Sequence, residues 1–313
     1  MKRGRGARGL FPFFLFPFTL LPLMKLLEWK LAQRSLILGE RTLLMGVVNV
    51  TPDSFSDGGE FFSLDEALAH AEEMASDGAD IIDIGGESTR PGLKPVSVEE
   101  EKRRVLPVIE RLAKRIEIPI SIDTTKAEVA RAALSAGAEI INDISGLRFD
   151  ARIADEAARS GAGLVLMHSR GTLEMLHKLE PVPDIFNEVV SSLSKSIREA
   201  ERRGVALESI ALDPGIGFGK SQEQNLELIA RLDKLVQKFS AFPILIGTSR
   251  KSFLGRLLDG APAPSRLHGT MATVTVAVLR GAHIVRVHDV KAARETVRVA
   301  DAVKNALAEE QAV

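Results

Sequence analysis

No cysteine occurs among the 313 residues. Disulfides, thiolate metal centres and cysteine nucleophiles are therefore excluded, and a reducing compartment, the cytoplasm, is the expected setting. Tyrosine is absent and tryptophan occurs once, at Trp29, which leaves little from which to build a stacking platform for nucleic acid. Neither sign of charge is in excess: 41 Lys and Arg against 42 Asp and Glu give a net charge of -1. No broad field invites nucleic acid or an anionic membrane, and any anion site must be built locally. The one long apolar run, "LFPFFLFPFTLLPLM" after a basic "MKRGRGARG", is interrupted by Pro12, Pro17 and Pro22. It falls short of the roughly 20 residues that a membrane helix needs, and no small-residue cleavage site follows closely. Residues 1–27 are accordingly expected to be a non-conforming extension, disordered or arising from an upstream start codon, with Met24 an alternative start; membrane association is not expected.

What remains, about residues 28–313, alternates short β-branched runs with amphipathic helical segments, the pattern of βα units around a parallel sheet. Eight strand-like runs occur: "TLLMGVVNV" (42–50), "ADIIDIGGE" (79–87), "PISIDTT" (119–125), "EIINDIS" (139–145), "GLVLMHS" (163–169), "SIALDPGIG" (209–217), "PILIGTS" (243–249) and "HIVRVHD" (283–289). Between them, segments such as "SLDEALAHAEEMASDG" repeat apolar residues at three- and four-residue steps, and several close on glycine before the next strand, as in "SDGAD", "SAGAE", "SGAG" and "LRGAH". Eight units in about 250 residues predict a single α/β domain, a TIM (β/α)8 barrel. An open doubly wound sheet fits less well, because no G-x-G-x-x-G follows the first strand.

The ends of these strands carry the chemistry. In chain order they present Asn49, Asp83 with Glu87, Asp123, Asn142 with Asp143, His168, Asp213, then Ser249, Arg250 and Lys251 after the seventh, and Arg286 with His288 on the eighth. In this fold the active site lies at that end of the barrel. Strand alternation gives Asn142 the inward slot and sends Asp143 outward, so Asp143 and Glu87 are expected to be structural. His168 is read equally well as a rim residue or a ligand contact.

Three subsets separate. Asp123, Asn142 and Asp213 suit the edge of a flat heterocycle bearing N–H and amino groups, since a carboxylate accepts two parallel hydrogen bonds from an amidine-like face; Asp83 could add a fourth contact, and a metal cluster is the competing reading. Asn49, Arg90, Arg286 and His288 want an anion such as pyrophosphate, with Asn49 able to help hold a hard cation such as Mg²⁺; salt bridges to Asp53, Asp57 or Glu87 are the plainer alternative. Lys251 and Ser252 open a helix after the seventh strand, a setting that favours a carboxylate, and Phe218 offers a face for a ring. The polar, glycine-containing stretch after the first strand, "TPDSFSDGGEF", looks built to close over a site.

Taken together, "MGVVNVTPDSFSDGG", "IDIGGESTRPG", "SIDTTKAEVA", "INDISG", "LDPGIGFGK", "GTSRKSFLG" and "GAHIVRVHDV" resemble the dihydropteroate synthases, over residues 42 to about 300 and in the family's order. The resemblance implies that 6-hydroxymethyl-7,8-dihydropterin pyrophosphate and p-aminobenzoate are joined to 7,8-dihydropteroate with release of pyrophosphate, a transferase step of folate biosynthesis and a sulfonamide target. It implies pterin binding by Asp83, Asp123, Asn142, Asp213 and Lys251, and pyrophosphate binding by Asn49, Arg90, Arg286 and His288 with Mg²⁺ on Asn49. For p-aminobenzoate it implies Thr89, Pro91, Phe218, Lys251 and Ser252. Residues 51–62, with Asp53 and Phe55, would form a lid paired with a second one at 88–95, and a homodimer is the family expectation.

A pterin-dependent methyltransferase would share the barrel and the pocket of Asp and Asn residues, but needs neither the pyrophosphate cradle nor "TPDSFSDGG". A noncatalytic pterin-binding protein would be expected to have lost anion-site residues, and none is missing from the sequence.

Overall fold

The computed structural model describes residues 26–51, 60–87, 95–172 and 179–312, with side chains from residue 64 in the first helix and to residue 306 in the last. The chain enters through an antiparallel hairpin, β1 (Leu27–Lys30) and β2 (Ser35–Leu38). Then follow β3 (Leu43–Asn49), α1 (Glu60–Asp77), β4 (Ile81–Gly85), α2 (Val98–Leu112), β5 (Ile120–Asp123), α3 (Ala127–Ala136), β6 (Ile140–Asp143), α4 (Arg152–Ser160) and β7 (Gly163–Met167). The second half runs α5 (Ile185–Arg202), β8 (Ile210–Asp213), α6 (Gln222–Ala230), α7 (Leu232–Lys238), β9 (Leu245–Ile246), α8 (Ser252–Leu257), α9 (Leu267–Leu279), β10 (Ile284–Val287) and α10 (Val290–Ala312).

The eight strands from β3 to β10 are all parallel and lie in the order β8-β7-β6-β5-β4-β3-β10-β9. A parallel bridge between Leu212 and Ile244 joins the two ends, helped by the Leu212 amide donating to the Pro243 carbonyl at 2.9 Å. The expected TIM barrel is thus formed, each predicted run supplying one strand at its centre. The left-handed glycine caps also occur: Gly137, at φ 116°, ends α3 by donating back to Ala133 and Leu134, a conformation that costs any L side chain energy.

Register decides what lies inside. Pairing sets Met45 beside Ile81, Val47 beside Asp83, Asp83 beside Ser121, Asp123 beside Asn142, Asn142 beside Val165, Met167 beside Asp213, and Arg286 beside Met45. Because side chains alternate along each strand, one parity faces the axis all round the ring. That parity is apolar at the strand starts, where Leu43, Met45, Ile81, Ile140, Val165, Ala211, Leu245 and Ile284 form a buried cluster. It turns polar at the ends, where Asp83, Asp123, Asn142, Asp213 and Arg286 follow. The other parity, including Val48, Ile82, Ile122, Ile141, Leu166, Leu212 and Val285, packs with the helices in the larger core.

The β1–β2 hairpin belongs to the inner cluster. Trp29 and Leu38 are fully buried against it, and the Trp29 indole Nε1 donates to the Ser209 carbonyl at 2.8 Å. The hairpin therefore seals the end of the barrel opposite the polar layer. Its four-residue strands carry too weak an alternation to have been read from sequence. Among the described residues no helix is long and apolar enough to cross a membrane.

Candidate active site

The polar layer is wired together rather than divided into the separate subsets that residue chemistry suggested. Arg286, on β10, donates from Nε to Asp83 Oδ2 at 2.7 Å and from Nη2 to Asp123 Oδ2 at 2.8 Å. Asn142 donates from Nδ2 to the same Asp83 oxygen at 3.0 Å. Arg286, expected with the anion ligands, is thus held by the carboxylates of the pterin subset. Asp83 is fully buried, and its Oδ1 has no hydrogen-bond partner among the described residues. Burial pushes the Asp123 carboxyl up to about 7, with Arg286 pulling it down and Asp83 pushing it further up. Asp213 is raised by burial too, while the Gly215 amide, donating to its Oδ1 at 2.6 Å, and Lys251 favour its ionised form.

Lys251 is the residue before α8, whose first residue is Ser252, as the sequence predicts. Its ammonium lies 4.0 Å from the centre of the Phe218 ring, a cation–π contact. Burial lowers the amine to about 8, with Asp213 and Asp123 holding it up and Arg286 pressing it down. Cation, ring and helix start thus meet in one place, beside Asp213.

His288 and Asn49 complete the mouth. The Ser249 Oγ accepts the His288 amide hydrogen at 3.2 Å and lies 3.0 Å from His288 Nδ1. The ring tautomer sets whether Nδ1 donates to that oxygen or accepts from it. Burial, then Arg286 and Arg250, hold the imidazole at about 3. It is a neutral donor rather than a third cation. The Asn49 Oδ1 and Asp123 Oδ2 both lie within 4 Å of the point where a Cβ on Gly85 would sit, so two hard oxygens line the same glycine-cleared space.

Several neighbours turn out to be framework. Asp143 accepts from the Ser145 and Leu147 amides at 2.8 and 2.6 Å, and Glu87 accepts from Lys126 at 2.8 Å and from the Val96 amide at 2.9 Å, both as expected of structural residues. His168 is fully buried, with neither ring nitrogen partnered among the described residues. Burial, reinforced by Lys220, Arg148 and Arg170, pushes it down to about 2, so it stays neutral. Lys220 escaped the sequence reading. Its ammonium donates to the carbonyls of Gly215, Phe218 and His168 at 2.6, 3.1 and 3.3 Å and pins the turn that carries Phe218; the only signal was its place at the end of "GIGFGK".

Asp53, Phe55, Thr89, Arg90 and Pro91 lie outside the described residues, as do most of the two expected lids. Residues 60–62, the end of the first expected lid, belong to α1.

The profile of the pterin binding enzymes matches residues 45–288, from inside β3 to the second of the two β10-end residues. The chain is 50% identical over 265 residues to a dihydropteroate synthase of Synechocystis, covering 85% of this chain and 91% of that one. It is 48% identical over 266 residues to that of Bacillus subtilis, covering 85% and 90%. Among solved structures, the dihydropteroate synthase of Clostridium difficile in the presence of pteroic acid superposes with a TM-score of 0.80 at 46% identity, covering 85% of this chain and 98% of that one. The Yersinia pestis enzyme in a sulfonamide drug complex gives 0.83 at 41% identity, covering 90% and 100%. With a closed barrel, a polar mouth and relatives matched over nearly their whole length, the chain belongs to the pterin-binding enzymes, among the dihydropteroate synthases.

Proposed function

We propose that this chain joins 6-hydroxymethyl-7,8-dihydropterin pyrophosphate to p-aminobenzoate, forming 7,8-dihydropteroate and pyrophosphate. The observation that carries the reading is the linked mouth of Asp83, Asp123, Asn142 and Arg286, with Asp213 and Lys251 alongside. Asp123, Asn142, Asp213 and Lys251 hold the pterin. Its amidine-like edge meets oxygen acceptors and its ring oxygen meets the ammonium. Arg286 and His288 face the pyrophosphate, together with Arg90 of the segment 88–94. Phe218, Lys251 and Ser252 receive p-aminobenzoate, with Thr89 and Pro91, its ring against Phe218 and its carboxylate at the start of α8.

The donor set also fits Mg²⁺. That ion keeps several waters and commonly takes only one or two protein oxygens plus substrate phosphates, and Asn49, with Asp123 beside it, offers hard oxygens next to Arg286. When bound, the ion would neutralise charge on the pyrophosphate. The chain's own groups do the rest. The methylene C–O bond breaks with its electron pair leaving on pyrophosphate, where Arg286 and His288 stabilise the growing charge. The electron-rich pterin carries the cation left behind. The amine of p-aminobenzoate, neutral at pH 7, then forms the C–N bond and gives its proton to solvent. It needs placement rather than a strong base, which the Phe218 face and the α8 start supply.

Exposed Val276 on α9 and Val299 and Val303 on α10 lie on two helices that pack together, and we assign this face to a homodimer; light scattering giving a single-chain mass would remove that part. A cytoplasmic setting is supported by the absence of cysteine. The catalytic reading is tested by giving the purified full chain both substrates and Mg²⁺. Pyrophosphate release that depends on the amine, matched by dihydropteroate, is expected. Pterin binding without amine-dependent release would instead favour the methyltransferase or the noncatalytic protein.

A further inference from the structure

We propose that Asp83 is a positioning residue that fixes which way the Asn142 amide faces, so that the barrel mouth reads hydrogen-bond donors on the pterin edge. This rests on the pterin reading above but gives Asp83 a role other than contact with the ring.

Asp83 Oδ2 accepts the Arg286 Nε–H at 2.7 Å, so it presents a lone pair rather than a hydrogen to its surroundings. The Asn142 amide meets that same oxygen at 3.0 Å. Facing it with the amide oxygen would set acceptor against acceptor in a buried site, which is costly where water cannot intervene. The nitrogen must face inward, and this follows from chemistry whatever the protonation of the far carboxylate oxygen. Asn142 Oδ1 is then turned the other way, away from Asp83. With Arg286 engaged by Asp83 and Asp123, the mouth consequently offers the ring edge three oxygen acceptors, on Asp123, Asn142 and Asp213, against the Lys251 ammonium. A ring edge carrying N–H and amino groups satisfies that set, whereas the same edge carrying a carbonyl or a bare nitrogen leaves acceptors opposed. Asp83 achieves this from beneath, fully buried, on the strand between those of Asn49 and Asp123.

The test compares dissociation constants, by calorimetry, for 6-hydroxymethyl-7,8-dihydropterin, its 2-oxo counterpart and the oxidised pterin whose N8–H has become a bare nitrogen. The proteins are the wild-type chain, Asp83→Ala and Asp83→Asn. The wild type is expected to prefer the dihydropterin over at least one analogue by about tenfold or more. Asp83→Ala frees the amide to turn and shrinks that ratio to about twofold, while Asp83→Asn restores it, because the new side-chain carbonyl can take the place of Oδ2. General weakening in Asp83→Ala at an unchanged ratio would overturn the proposal, as would equal binding of all three ligands to the wild type. Failure of the wild type to bind any of them would instead remove the pterin reading itself. Should Asp83→Ala not fold, neutron diffraction on the wild type decides: deuterium on the Asn142 nitrogen facing Asp83 supports the assignment, and deuterium facing the mouth overturns it.

Discussion

Replacing Arg286 by glutamine removes the side chain on which Asp83 and Asp123 both depend, and the size of the effect depends on pH in a direction the structure fixes. Two charge-assisted bonds, at 2.7 and 2.8 Å, are lost. Breaking a buried pair by removing one partner costs about 3–5 kcal/mol when the other charge stays behind. Asp123 has an escape, since its folded carboxyl already sits at about 7 against an ordinary value near 4. A carboxyl raised in the folded state binds more protons there than in the unfolded chain between those values, so its contribution to stability falls as pH rises through that window. Without Arg286 the folded value rises further and the decline continues past neutrality. At pH 6 Asp123 is mostly protonated with or without Arg286, and the loss comes chiefly from Asp83, about 1–3 kcal/mol. At pH 8 the variant must also protonate Asp123, which adds about 1.4 kcal/mol for the unit between 7 and 8. With roughly 2–4 °C per kcal/mol for a chain of this size, melting followed by circular dichroism should shift by about 3–6 °C more at pH 8 than at pH 6. Turnover should fall by about 10²–10³, the usual effect of deleting a donor to developing charge. A shift of equal size at both pH values, or none at pH 8, would refute the reasoning.

Three further outcomes follow from other parts of the molecule. Lys251, lowered to about 8 by burial, is cationic below that value, so kcat/KM should decline above about pH 8; Lys251→Arg should move that limb to higher pH in a pH–rate profile. Trp29→Ala, which empties the plug of the barrel floor, should cost about 3–5 kcal/mol in urea unfolding, with KM for both substrates unchanged in the folded fraction because the plug lies at the opposite end from the mouth. Gly215, at φ 68°, would place a Cβ directly against the His168 carbonyl oxygen; Gly215→Ala should yield little soluble protein at 37 °C, and normal yield with an unchanged melting curve would contradict that.

The barrel was legible because burial on both faces writes a parallel strand as an apolar run, and eight such runs leave few architectures. The change along the inward parity from Ile81 to Asp83, Ile140 to Asn142 and Ala211 to Asp213 was equally visible, so the mouth could be found before any geometry. The partners of each group were not. Nothing in the order of residues says that Arg286 lies across Asp83 and Asp123, since their strands are brought together by ring closure and are separated by 203 and 163 residues. The neutral state of His288 depends on its burial, on Arg286 and on Arg250, and the order of residues does not place Arg250 beside it. The hairpin around Trp29 has strands of four residues, too short for a periodicity to declare itself, and its burial is decided by the barrel floor it fills. Lys220 is a structural clamp in a position where a basic residue suggests an anion.

The most direct measurement is a crystal structure of the chain with Mg²⁺ and the pterin pyrophosphate. The ring edge is expected at hydrogen-bond distance, about 3 Å, from Asp123, Asn142 Oδ1, Asp213 and Lys251, with the pyrophosphate against Arg286 and His288 and the Asp83 carboxylate still on Asn142. A ligand bound away from the strand ends, or a pyrophosphate lying apart from Arg286 and His288, would contradict it.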